Sequence, residues 1–471
     1  MNNLNLTKLT GDPFADVGGY VIKYLMEENG VTKGKSIEKI IEWMTEKYVT
    51  NWSGKLNAFF LNSTITQPAF KGERKVTETI EYFRKLINDE LPHREGYCRI
   101  SGEKTKLFSA GRDNHILSGS GTFINFHASH EGGLAFSKEM IIRSFFVPFG
   151  LQQLNDKIAL IYSNYPDVTW QFIKENCESN IRRLNERIDN TAGGVLVSDY
   201  KNPANALFRF ASDCISEAKI FHRNEETGDL SENVTLNLLH FTNFGASPEV
   251  VLYTIPATVF RFYSKCFSNK NKQDWKRFVS NHYTSSKFKD AHFNDVEQTW
   301  ENKKEKVDFE TYKSWKNLIY ENLLHNKSIL RFFLKWSVKN KIRFEIIELY
   351  QILVRKMDVK AVKKLKELAD FIVVDNNDDY IKKACTKING LRKQSELRRY
   401  LVNLAKDNVN SRKHLDVLWT IDDYVEYLFP DGSDWREVRD LLLIAIYQKI
   451  HELDKKIEIE VETEEQESPN S

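Results

Sequence analysis

Residues 393–407, KQSELRRYLVNLAKD, decide how this chain is to be read. Leu397, Leu401 and Leu404 recur at the spacing of one helical face. Arg398 and Arg399 fall between them and Lys406 follows, so a helix packed by its leucines turns these cations outward. No glycine or proline interrupts the run. The stretch therefore predicts an amphipathic helix docked into a bundle, with a positive outer face.

The positive character extends on both sides. Between Lys382 and Lys413 there are ten Lys/Arg (382, 383, 387, 392, 393, 398, 399, 406, 412 and 413) against Glu396 and Asp407 alone, a net 10 − 2 = +8 in the segment. Such a stripe suits the phosphates of a nucleic acid and carries no sequence readout of its own. The competing reading is a solvated helix face over an apolar stripe. From this stretch Lys382, Lys383, Arg392, Lys393, Arg398 and Arg399 are the candidate phosphate contacts.

Helical spacing continues through 343–356, 357–374 and 434–452, and glycine and proline are scarce from about 300 onward. A C-terminal α-helical bundle over 301–456 is expected. Beyond it, residues 457–471 hold six Glu and no base. With little apolar to bury, this acidic tail is expected to be disordered. Without it the chain's +2 becomes +2 − (−6) = +8, which is compatible with a polyanionic partner.

Toward the N-terminus the texture is mixed. Asp12 and Pro13 open a helix whose Phe14, Val17, Val21, Ile22 and Leu25 share a face. Gly18 and Gly19 inside it imply a close approach, by a neighbouring helix or a nucleic acid. A second amphipathic helix follows Ser36. Residues 55–70 read as extended and 74–91 as helical. Short β-type runs stand out at 121–127 and 141–149, and 234–262 reads as strands followed by a helix. The fold class is therefore α+β: a mixed, mainly helical large N-terminal domain with short strands over 1–300, then the bundle. The hydrophobic content of 41% and the 30 Phe, 19 Tyr and 9 Trp exclude a disordered chain.

A second basic stretch, Lys265 to Asp290, interleaves Lys272, Lys276 and Arg277 with Trp275 and Tyr283. Cations on phosphates with aromatics stacking on bases would suit nucleic acid. A solvated face over a core stripe fits the same pattern.

Several chemistries find no foothold. Gly30-Val-Thr-Lys-Gly34-Lys35-Ser36 is similar to a phosphate-binding loop, but it has three residues between its glycines where four are needed, and it follows a helix. It reads as a capping turn. His127 and His130, near Glu131, are the closest histidine pair in the Gly-rich region. A zinc site needs three or four ligands. No HExxH, GxSxG or kinase-like set occurs, and no nucleophile can be matched to a base. The five cysteines lie far apart with no C-x-x-C pair, as expected of reduced thiols in a cytoplasmic protein. No apolar run nears the roughly 20 residues that span a bilayer, and residues 1–10 lack the apolar core of a signal peptide. No cofactor is expected.

Several segments together resemble one family, the large subunit of the type I-B CRISPR Cascade surveillance complex, in the group named for paired C-x-x-C motifs. Thr10-Gly-Asp-Pro-Phe-Ala-Asp-Val-Gly18 is similar to its N-terminal signature. Gly121-Thr-Phe-Ile-Asn125-Phe126 resembles its central segment, and Phe146-Val-Pro148-Phe-Gly150 its element closing the cysteine-rich region. Thr420-Ile-Asp-Asp-Tyr424 and Trp435-Arg-Glu-Val-Arg-Asp-Leu-Leu look like its final helices. The order of the segments carries the weight. The chain departs from the family at the metal. Cys98-Arg-Ile-Ser101-Gly102 stands where the first C-x-x-C-G belongs, and Ser137-Lys-Glu-Met140 where the second pair does. Neutral Ser and Met cannot replace zinc-binding thiolates. The zinc-ribbon-like segment 96–150 is therefore expected to keep its local fold without zinc.

The resemblance implies a non-catalytic cytoplasmic prokaryotic protein acting in antiviral defence. Its implied partners are crRNA, target double-stranded DNA, the backbone, 5′-end and small subunits, and the helicase–nuclease it recruits. It would recognise the PAM and support R-loop formation, with sequence reading delegated to base pairing. Loops around 109–121 and 191–194 are the expected PAM readers. Related systems make their small subunit by internal translation of the large-subunit gene. Met357, which opens the last helices, is the matching start here, making the segment from about 357 small-subunit-like. Two other function classes compete: a stand-alone nucleic-acid enzyme with an unrecognised site, and a helical interaction scaffold.

Overall fold

A computed structural model describes residues 4–52, 56–116, 133–185, 196–217, 221, 233–242, 249–374, 376–411, 417–432, 434–455 and 457. The chain divides into two compact units, Met1–Ile220 with Val234–Ile255, and Phe221–Asn233 with Pro256–Ser471. The fold is α+β and mainly helical, with short strands and a C-terminal helical region.

The first unit holds helices α1 (Pro13–Glu27), α2 (Ile37–Thr50), α3 (Glu73–Ile87), α4 (Lys138–Phe146), α5 (Pro166–Asn185) and α6 (Pro203–Ser216). Its strands are β1 (His93–Tyr97), β2 (Lys104–Ala110), β3 (Leu134–Phe136), β4 (Gln152–Leu154), β5 (Lys157–Ser163), β6 (Leu196–Val197), β7 (Leu236–Thr242) and β8 (Glu249–Ile255). They form a five-stranded sheet in the order β6-β4-β5-β7-β8 and a three-stranded sheet, β1-β2-β3. Helix α1 is the hub, packed on α4, α5 and the 3-10 turn Val147–Gly150.

The Asp12 carboxylate caps α1 through the Ala15 amide at 2.8 Å. Asp16 accepts from the Thr10 amide and hydroxyl (2.7 and 2.8 Å) and the Gly11 amide (2.9 Å). The opening signature is thus a self-satisfied entry turn. Gly18 explains itself too: a Cβ there would lie 2.2 Å from the Arg143 carbonyl oxygen, so α1 and α4 touch backbone to backbone. The approach is by a helix. The turn after α1 bonds internally, Lys33 and Gly34 donating their amides to the Asn29 and Met26 carbonyls. It caps a helix, as its sequence predicts.

Two local expectations differ. Residues 141–149 form α4 and its 3-10 extension. An apolar run gives no period when every side of the helix is buried, as Ile141, Ile142, Arg143, Ser144, Phe145 and Phe146 are. Among residues 56–70 there is a 3-10 turn and a chain of tight turns in place of extended structure. The expected run at 121–127 lies outside the described residues. The expected strands and helix over 234–262 are β7, β8 and α7.

The second unit begins with α7 (Ala257–Cys266) and α8 (Lys272–Ser280). Small strands follow: β9 (Tyr283–Thr284), β10 (His292–Asn294), β11 (Thr299–Glu301), β12 (Lys306–Val307) and β13 (Lys316–Asn317), with α9 (Phe309–Tyr312) between the last two. Then come α10 (Leu318–Leu324), α11 (Leu330–Lys339), α12 (Phe344–Leu349), α13 (Val359–Val373), α14 (Asp378–Asn389), α15 (Gln394–Ser411) and α16 (Trp435–Glu452). The division falls after Ile255, whereas the sequence places it near 300. The physical reason is a shared aromatic core. Phe262 meets Trp275 at 5.3 Å and Tyr350 at 5.6 Å, and Phe278 stacks on Phe333 at 4.5 Å. Helix α16 lies at the centre of the bundle, against α11, α13, α14 and α15, and is buried from Val438 to Gln448 without interruption. A helix buried on every side lies in a core, and its buried Arg439 and Asp440 pair with each other at 2.8 Å.

Candidate nucleic-acid interface

Helices α14 and α15 are set by caps and by their apolar faces. Asn377 accepts from the Tyr380 amide at 2.8 Å to start α14. Glu396 reaches back to the amides of Arg392 (2.8 Å) and Lys393 (3.2 Å) to start α15. The Arg392 amide, then the Lys393 amide and the Lys393 and Arg399 charges, hold the Glu396 carboxyl below its usual range. Ile381, Ala384, Cys385 and Ile388 bury one side of α14. Leu397, Tyr400, Leu401 and Leu404 bury one side of α15. The leucine face expected from the sequence is the packed face.

Opposite those faces, Lys382, Lys383, Lys387, Arg392, Lys393, Arg398, Arg399 and Lys406 are all exposed. Lys387 Nζ lies 5.4 Å from the Tyr400 ring centroid, which joins the two helices' surfaces. Arg398 is partly engaged, its guanidinium 5.0 Å from the Phe429 ring and 5.8 Å from that of Tyr424. Among the described residues, Lys382, Lys383, Lys393, Arg399 and Lys406 form no ion pair. Arg412 and Lys413, like Glu458 to Glu467 of the acidic tail, lie outside the described residues.

The other basic stretch is a different object. Lys272 and Lys276 are exposed on α8. Arg277 is held by Asp295 at 2.7 Å and Asn340 at 3.1 Å, over the Trp336 ring. Trp275 is 2% exposed and Tyr283 7%. Trp275 packs on Phe262, Tyr263 and Phe278, and Tyr283 on Tyr312 at 5.1 Å. Neither ring can stack on a base, which corrects the expectation drawn from their interleaving with cations. The positions 275, 278, 279 and 282 carry the spacing of a core stripe, and that spacing was the signal to weigh.

Of the four positions that the resemblance assigns to zinc, Ser101 and Ser137 lie against Cys98. Cys98 sits in the β1–β2 turn and is 1% exposed. Its sulfur accepts from the Ser137 amide at 3.5 Å, at the start of α4, and Met140 is buried one turn along. Burial alone would raise the thiol pKa. The amides of Ser101, Ser137 and Ile100 and the Ser101 hydroxyl outweigh it and bring the value below that of a free cysteine. One thiol with two hydroxyls and a thioether does not fit zinc. Among the described residues no three His, Cys, Asp or Glu side chains converge as metal ligands. His127, His130 and the segment 121–126 lie outside the described residues, as does the loop 191–194. Of the loop 109–121, residues 109–116 are described.

Among the described residues no helix is long and apolar enough to cross a membrane. Residues 335–471, which contain α14, α15 and α16, match the family model of the DevT C-terminal domain. No curated protein matches the chain.

Proposed function

We propose that this chain is the non-catalytic large subunit of a type I CRISPR effector complex, of the I-B kind, working in the prokaryotic cytoplasm. The observation that carries the reading is the exposed cation set on α14 and α15, lying within the segment similar to the DevT C-terminal domain. DevT is a Cascade-associated Myxococcus protein, so the match hints at a CRISPR-related function. In this reading the cation face holds the phosphates of crRNA or target DNA, without selecting sequence. The chain joins the backbone, 5′-end and small subunits, inspects the PAM on double-stranded DNA, supports R-loop formation and recruits the helicase–nuclease.

The test is co-expression with the genomic neighbours and a crRNA, followed by affinity purification through this chain. Entry into an RNA-containing complex with repeated backbone subunits supports the reading. A monomer that ignores RNA and partners overturns it. Incubation of the purified chain with DNA and Mg²⁺ or Mn²⁺ tests the non-catalytic part: cleavage would make it an enzyme.

A further inference from the structure

The cation face of α14 and α15 and the acidic run 458–467 belong to one chain, and the fold brings the root of the acidic run to the cations. Lys455 is fastened to the start of α14. Its Nζ lies 3.0 Å from the Asp378 carboxylate and 3.0 Å from the Asn376 carbonyl oxygen. Lys382 and Lys383 follow Asp378 at i+4 and i+5, about one turn or 5.4 Å along the helix, and both are exposed. The glutamates between 458 and 467 come three to twelve residues after Lys455, which is about 10 to 40 Å of extended chain. Helix α14 has 12 residues, and a helix of that length is about 18 Å long. The acidic run can therefore cover α14 and reach α15, whose surface Lys387 joins to it over the Tyr400 ring.

The charges match. Residues 457–471 hold six Glu and no base. Of the acids on α14 and α15, Asp378 is taken by Lys455 and Glu396 by the amides that start α15. That leaves the exposed Asp379 and Asp407 against the exposed cations. Lys382, Lys383, Lys393, Arg399 and Lys406 form no ion pair among the described residues. Glu458, Glu460, Glu462 and Glu464 alternate with Ile459, Val461 and Thr463, so an extended chain carries these four carboxylates on one side, about 6.6–6.8 Å apart.

We propose that the acidic run 458–467 is the occupant of the α14–α15 cation face, and that phosphates must displace it to bind there. The second half rests on the nucleic-acid reading of the face; the first does not. One exposed ion pair is weak, but a segment tethered by a few residues presents itself at roughly millimolar effective concentration. Several pairs then hold where a separate acidic peptide would leave. The tail sets a threshold: a polyanion touching one or two lysines cannot replace six carboxylates, whereas one lying across both helices can.

Zero-length carbodiimide cross-linking of the full chain, read by peptide mass spectrometry, tests it. Amide links from 458–467 to Lys382, Lys383, Lys387, Lys393 or Lys406 are expected, several-fold above links to Lys363 and Lys366. Those two are exposed on α13, one to two turns from Asp370, which pairs with Lys449 at 2.9 Å and so reports the reagent's activity. Glu458→Gln, Glu460→Gln, Glu462→Gln, Glu464→Gln, Glu465→Gln and Glu467→Gln combined should lower the Kd for DNA about tenfold at low salt, as for a face roughly nine-tenths occupied. The gain should vanish near 1 M salt, where the Debye length is about 3 Å. Links spread evenly over all exposed lysines overturn the inference. So does a tighter Kd without the links, which is the general loss of negative charge. In a mixture of isotopically light and heavy chains, links between the two overturn it and give the face to a second copy's tail. Links to the face that excess DNA removes support both halves. Links that persist in excess DNA keep the tail on the face and overturn the nucleic-acid reading instead.

Discussion

The Ser137 amide points at the Cys98 sulfur across 3.5 Å, tying the β1–β2 turn to the start of α4. The hydrogen bonds that would polarise metal-bound thiolates in a zinc ribbon are present here around one buried thiol. Hydrogen bonding and packing hold together what a metal would otherwise clamp. Restoring thiols should therefore restore a site. Ser101→Cys, Ser137→Cys and Met140→Cys combined are expected to give about one zinc per chain by elemental analysis, with the unaltered chain giving none. Equal zinc in both would refute this account of the turn.

Replacing Lys382, Lys383, Lys393 and Arg399 together by Ala should weaken DNA binding to the same degree for every sequence. Each phosphate that the face no longer neutralises lowers the slope of log K against log salt by about 0.9. Anisotropy titrations at several salt concentrations measure it. An unchanged slope would make the face a solvated surface.

Gly18→Ala drives a methyl into the Arg143 backbone, where carbonyl oxygen and carbon lie 2.2 and 2.7 Å from the new Cβ. Backbone cannot step aside as a side chain can. A loss of about 3 kcal/mol in unfolding free energy is expected, at the upper end of the usual overpacking cost. Gly19→Ala, whose nearest atom is 3.1 Å away, should cost less. Denaturant melts of both variants decide it.

His282 is enclosed by Phe278, Phe332 and Trp336, with Nδ1 2.6 Å from the Phe278 carbonyl oxygen. Burial lowers its pKa below the ordinary 6.5, against the opposing pull of that carbonyl. The unfolded chain therefore binds the proton more readily than the folded one. The sign follows: this contribution is intact above pH 6.5 and is lost as pH falls from there toward the folded pKa. His282→Gln should flatten the fall in melting temperature between about pH 7.5 and 5.5. A slope that survives the substitution would exclude His282 as its source.

Met357 stands between elements, one residue before Asp358, whose carboxylate accepts from the Lys360 amide at 2.7 Å to cap α13. If it is an internal start, intact-mass spectrometry of the purified complex will find a second product beginning near residue 357. That product would keep α13 to α16 but lack α11, which covers one side of α16. It is expected to bind a hydrophobic dye until a partner covers that side.

Much of the helical fold was legible in the residues. Leu397, Leu401 and Leu404 recur on one face because that face is buried and the other is wet, and Asp12 and Pro13 announce α1 by their backbone preferences. The region 141–149 was not legible, because a helix buried on all sides has no period to read. Cations on α15 could be placed outward from the leucines alone, whereas those on α14 follow from the burial of Ile381, Ala384, Cys385 and Ile388. Trp275 and Tyr283 could not be told from stacking residues by interleaving, since sequence distance does not report what a ring faces. The pocket lined by Phe60, Thr79, Tyr82, Asp113 and Phe145 left no linear trace, because its residues come from four separate segments.

The central place of α16 sets an order in time. Helices α11, α13, α14 and α15 all leave the ribosome before residues 435–452, at about 5–20 residues per second, yet each closes its apolar face against that later segment. For those seconds the nascent bundle has walls and no centre. Apolar surface left open in this way during synthesis is what chaperones generally cover.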